Sequence, residues 1–103
     1  MTPEAKVKIW VDKWLDREMP GHWRYKPRGG PFGQAGTSDY LICWQGIFVA
    51  LEIKAEGGEL TALQLASLKC VERSGGIAAV IRGRDSARLA EVKRRVLAKW
   101  NSE

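Results

Sequence analysis

The sequence predicts an α/β domain, a central mixed β-sheet flanked by helices, in the order α-β-β-β-α-β-α. Three observations carry this. Apolar residues recur at helical spacing near both ends, at Val7, Trp10, Val11, Trp14 and Leu15 and again at Leu89, Val92, Val96 and Trp100. Two strand-like runs, Tyr40 to Trp44 and Ile47 to Leu51, are apolar on both alternating faces, the pattern of strands covered on two sides. After the second run come a helix-like stretch, a glycine and a third apolar run, which together form a β-α-β crossover.

Each element has a local cause. Thr2-Pro3-Glu4 starts the first helix with an N-cap, a proline in the first turn and an acid near the positive end of the dipole. Lys6, Lys8, Asp12, Lys13 and Asp16 fill its other positions, and Pro20-Gly21 ends it. Residues 22–26 suit a short strand. Residues 27–37 are rich in Gly and Pro, carry Arg28 and read as a long mobile loop, which in a small domain is often functional. Gln45-Gly46 suits a two-residue hairpin turn, which pairs Trp44 with Ile47, Leu41 with Ala50 and Asp39 with Glu52. Gly57-Gly58 makes a turn, residues 61–74 a helix stopped by Gly75, and residues 77–81 a strand. Asp85 or Ser86 caps a last helix whose outer face is basic, with Arg88, Lys93, Arg94, Arg95 and Lys99.

Bulk composition narrows the functional classes. A chain of 103 residues suits one domain, residues 1–103, and 45% apolar content supplies a core. Most of the five tryptophans are expected in that core. A net charge of +5 suits a phosphate-bearing partner, nucleic acid first and an anionic membrane second. Cys43 and Cys70 lack CxxC spacing, so a zinc site is not expected; buried free thiols in a reducing compartment are. With no apolar run of about 18 residues and no signal-peptide core, a soluble cytoplasmic protein is expected, of a bacterium or of a cell hosting a virus.

The hairpin register concentrates chemistry at one strand end. Opposed residues share a sheet face with Cβ atoms ~5 Å apart, and Lys54 lies on the face of Glu52. Two carboxylates at that separation repel unless a cation lies between them, and a hard divalent metal suits oxygen ligands. Asp39 and Glu52 would hold it, with the Ile53 backbone carbonyl adding an oxygen. Lys54 would orient water or stabilise charge developing on a phosphate. Glu4, at the tip of the first helix's inward stripe, could complete the acidic cluster, and Gln64 could enter from the next helix. Both also have plain explanations: Thr61-Ala62-Leu63-Gln64 is a capping-box pattern, and acids are common in a first helical turn. His22 stands alone and reads as an ordinary strand residue. Lys26, Arg28, Arg94 and Arg95 are the candidate DNA phosphate contacts.

These residues resemble a known family. Asp39 followed by Glu52-Ile53-Lys54 is the pattern of the PD-(D/E)XK nuclease superfamily. Glu4, Gly36-Thr37-Ser38-Asp39, Leu51-Glu52-Ile53-Lys54-Ala55, Gly57-Gly58-Glu59-Leu60-Thr61, the Gln64 helix and Gly75-Gly76 look like the VRR-NUC family, the virus-type replication-repair nucleases. The resemblance spans roughly residues 4–83, with Ser38 standing where the superfamily name has Pro. It implies a restriction-endonuclease-like fold, Mg²⁺- or Mn²⁺-dependent cleavage of DNA, a homodimer, and similarity to Holliday-junction resolvases acting on branched DNA in repair and recombination. The alternatives are a non-catalytic DNA-binding module on the same fold and a protein-interaction adaptor.

Overall fold

A computed structural model describes residues 1–28 and 36–102. The elements are α1 (Pro3–Glu18), β1 (Trp23–Tyr25), β2 (Tyr40–Trp44), β3 (Ile47–Lys54), α2 (Ala62–Arg73), β4 (Ile77–Arg82) and α3 (Ser86–Asn101). This is the order the patterning predicts. Residues 29–35 of the expected loop lie outside the described residues.

The strands form one sheet in the order β1-β2-β3-β4. β1, β2 and β3 pair antiparallel, and β4 joins β3 in parallel through the α2 crossover. The β2–β3 register is the expected one: Trp44 faces Ile47, Leu41 faces Ala50, and Tyr40 faces Leu51. Gln45 and Gly46 have φ of 52° and 77°. Two positive φ values in sequence define the turn whose twist matches a hairpin. Thr2 and Asp85 cap α1 and α3 as expected, their side chains accepting from the Ala5 and Arg88 amides.

The two sheet faces are unequally covered. α1 and α3 pack on one, and Val11, Leu15, Leu89 and Val96 meet Ile42, Val49, Leu51, Ile53 and Ile81 there in the main core. α2 alone covers the other, where Leu68 packs on Ala50 and Ala78 with Leu41, Val71 and Val80 at the margin. One twelve-residue helix is too narrow for a four-stranded sheet. Cys43 and Phe48 therefore stay exposed, although their strands read as covered on both sides.

Two expectations are corrected here. Both cysteines are free, but both are exposed rather than buried. Trp14 and Trp44 are core and Trp10 packs against it, whereas Trp23 and Trp100 are 59% and 48% exposed. Trp23 lies on the uncovered side of an edge strand, and Trp100 is the penultimate residue of α3. No described helix is long and apolar enough to cross a membrane.

Candidate active site

The end of the β2–β3 hairpin gathers the predicted acids. Asp39 precedes β2, and the hairpin register brings it to the end of β3. Its Oδ2 accepts a 2.7 Å hydrogen bond from the Ile53 amide, which ties the carboxylate to the backbone beside Glu52. Gly36 helps set this approach. Its φ is +82°, and a Cβ there would lie 2.8 Å from the Leu63 carbonyl oxygen of α2. The chain leading to Asp39 can press against α2 only because that residue has no side chain.

Glu52 is 3% exposed, an unusual position for a carboxyl group. Its Oε1 accepts from Gln64 Nε2 at 3.0 Å, and its Oε2 is buried and meets no hydrogen-bond donor among the described residues. Burial, then the neighbouring Asp39 carboxylate, push the Glu52 carboxyl up to about 8; the Lys54 ammonium opposes this and Glu4 adds to it. Lys54 is half-buried at the end of β3. Its stem crosses Gly58, where a Cβ would come within 3.2 Å of Lys54 Cβ. Glycine in the Gly57-Gly58 turn thus leaves room for the lysine.

Gln64 does two things at once. Its Oε1 accepts from the Thr61 amide at 2.9 Å while Thr61 Oγ1 accepts from the Gln64 amide at 3.1 Å, completing the capping box. Its Nε2 is then left to bind Glu52. The two explanations offered by the sequence are compatible, because an amide side chain has separate donor and acceptor ends.

Glu4 reaches the site indirectly. Its Oε2 lies 3.6 Å from Lys8 Nζ, which lies 3.3 Å from Asp39 Oδ1. In the sequence Lys8 is one of the residues that fill the positions of α1 off its apolar stripe. The Glu4–Lys8 spacing of four was the available signal, since such pairs share a helix face. Beneath them the buried Tyr40 hydroxyl donates to the Asp12 carboxylate and lies 3.0 Å from the Lys8 carbonyl oxygen.

The four basic candidates fall into two classes. Lys26 is paired with Asp12 at 2.7 Å, and Arg95 forms two 3.0 Å hydrogen bonds to Glu72. Arg28 and Arg94 are exposed and unpaired among the described residues. His22 stays a structural residue, its Nδ1 lying 2.7 Å from the Met19 carbonyl oxygen.

The donors at this strand end suit a hard cation: two carboxylates, one with a buried unpartnered oxygen, and the main chain of Ile53 between Glu52 and Lys54. Among the described residues no group of three or more His, Cys, Asp or Glu side chains forms a complete metal cage. An ion here would rest on two side chains and keep water ligands, as Mg²⁺ commonly does.

The sheet order, the crossover and the helices on both faces define a restriction-endonuclease-like α/β fold. A solved structure described as a VRR_NUC domain is similar over 94% of this chain and 97% of its own, with a TM-score of 0.68 and 18% identity. No family model matches the sequence, and no curated protein does. The resemblance expected from the motifs is thus borne out in the fold.

Proposed function

We propose that residues 1–103 form one VRR-NUC-type nuclease unit that hydrolyses DNA phosphodiesters with Mg²⁺ or Mn²⁺. The observation that carries this is Glu52: a buried carboxyl held against the Asp39 carboxyl, with one oxygen that meets no hydrogen-bond donor among the described residues. Such a group is costly unless a ligand completes it. A buried carboxyl pair of this kind supports an ion-binding role over a purely structural strand end.

Each side chain has a role in this reading. Asp39 and Glu52 hold the ion, joined by the Ile53 carbonyl. When bound, the ion neutralises phosphodiester charge and lowers the pKa of a water ligand. Gln64 holds Glu52 through Oε1 and leaves Oε2 without a donor among the described residues. Lys54 makes no ion pair with another described residue, so its ammonium is available to the scissile phosphate or the attacking water. Glu4 supports the cluster through Lys8. Arg28 and Arg94 contact phosphates away from the cut; Lys26 and Arg95 would first have to exchange a carboxylate for a phosphate.

Branched DNA, such as a four-way junction, is the proposed substrate, and the proposed assembly is a homodimer that makes paired cuts. The uncovered sheet face supports self-association. Trp23, Tyr25 and Phe48 are 59%, 52% and 41% exposed there, while Arg24 and Lys26 turn away to Asp16 and Asp12. A face so poor in charge suits a second copy better than a phosphate backbone.

The test incubates the chain with linear, flapped and four-way DNA, with and without Mn²⁺ or Mg²⁺. Metal-dependent cutting that Asp39→Ala abolishes while binding persists is the expected result. Cutting of linear duplex alone would remove the branched substrate and leave the nuclease. Binding without cutting at any metal concentration would leave a DNA-binding module.

A further inference from the structure

Asp39 divides its two oxygens between partners. Oδ2 is committed to the Ile53 amide at 2.7 Å. Oδ1 is the oxygen left to a metal, and Lys8 Nζ already stands 3.3 Å from it. The placement of Lys8 is built into the fold. Its side chain leaves the same face of α1 as Glu4, whose Oε2 holds the ammonium from the other side at 3.6 Å. Its carbonyl oxygen lies 3.0 Å from the hydroxyl of Tyr40, a fully buried residue adjacent to Asp39. Main chain and side chain of Lys8 are therefore both referred to the start of β2. Lys54, the other lysine of the site, has no such carboxylate pair among the described residues.

We infer that Lys8 is a built-in counter-ion: its ammonium holds Asp39 Oδ1 in the ion-free protein, yields it when a divalent ion enters, and so sets the affinity for that ion. The inference rests on the reading of Asp39 as a metal ligand. It makes Lys8 a positioning residue, acting through Asp39 and not on the substrate. Two cations cannot share one carboxylate oxygen at close range without repulsion, so ion entry and the Lys8 contact exclude each other. With side chains 32% and 22% exposed, the contact has the modest strength of a partly solvated ion pair. A modest strength suits the role, because a stronger pair would keep the ion out.

Calorimetric titration of the whole chain with Mn²⁺ in the absence of DNA tests this. Lys8→Met keeps an unbranched stem without the charge and should bind Mn²⁺ about fivefold tighter than the parent, the factor expected of such a pair. Lys8→Arg should stay near the parent value. The Mn²⁺ concentration giving half-maximal cutting should fall by a similar factor in Lys8→Met. Equal or weaker binding by a folded Lys8→Met overturns the inference while leaving the metal site intact. If neither parent nor variant takes up Mn²⁺, the metal reading of Asp39 and Glu52 fails, and this inference fails with it. A measurement on the parent needs no variant: the side-chain ¹⁵Nζ signal of Lys8 should move as Mg²⁺ is added, and a signal unmoved at saturating Mg²⁺ is equally fatal.

Discussion

Glu52 is the residue on which most physical consequences converge. Its native carboxyl keeps a proton up to about 8, whereas the unfolded chain releases it near the ordinary glutamate value of 4.5. Between those values the native state binds more protons, so this group's contribution to stability declines as pH rises through that window. Glu52→Gln removes the dependence. Denaturant titration without metal should find the variant more stable than the parent at pH 9, by about 2 kcal/mol, the scale of an unsatisfied buried polar group. The difference should shrink toward pH 5. The same variant should lose Mn²⁺ uptake and cutting. Stabilisation joined to inactivity would mark a group retained for chemistry at the expense of the fold. Because the ion requires the ionised carboxyl, Mn²⁺ uptake by the parent should strengthen as pH approaches 8, with release of protons measurable from the buffer dependence of the binding heat. Metal affinity that is flat from pH 6 to 9 would contradict the assignment.

At the scale of elements, the N-terminus of α2 both caps itself and positions the acid. Thr61→Ala removes the cap and should cost about 1 kcal/mol, while Gln64 Nε2 still reaches Glu52 and cutting largely persists. Gln64→Ala also loses the contact to Glu52, so it should lower kcat more than its effect on stability accounts for. Equal activity losses in the two variants would reduce Gln64 to a capping residue. The start of β2 depends on the same helix through Gly36. Gly36→Ala forces a Cβ against the Leu63 carbonyl oxygen at a positive φ, which should cost on the order of 1–3 kcal/mol. Asp39 follows three residues later, so metal affinity should fall as well. Thermal melts and Mn²⁺ titrations of this variant report both effects.

For the whole molecule, the unequal cover of the two sheet faces is the main consequence. The face under α1 and α3 is filled, and the face beside α2 leaves Trp23, Tyr25, Cys43 and Phe48 at the surface. The Trp23 and Tyr25 rings are nearly parallel, with centroids 6.4 Å apart, and extend the apolar strip along β1. If a second copy covers this strip, sedimentation at micromolar concentration should give a dimer. Phe48→Asp should then give a folded monomer that nicks four-way DNA without paired cuts. A monomeric parent would remove the homodimer and leave the hydrolytic site as it stands.

The sequence by itself determined the order of elements, the hairpin register and the meeting of Asp39 with Glu52, with Lys54 close by. These depend on short-range rules: period-2 and period-3.6 patterning, turn chemistry and caps, all of which are written locally. Only the tertiary structure decided which faces are covered. Periodicity identifies one face of an element but not its neighbour, so Trp100, on the apolar stripe of the last helix, and the two cysteines are expected inside and are found outside. The same reason explains Lys8, which reads as solvated, and Lys26, which reads as free for a phosphate, until a distant carboxylate is brought to each. It also explains Gln64, whose cap is local and whose bond to Glu52 spans twelve residues. Contacts between elements depend on how the helices dock on the sheet, and docking is set by the packing of whole surfaces, which no single stretch of sequence specifies.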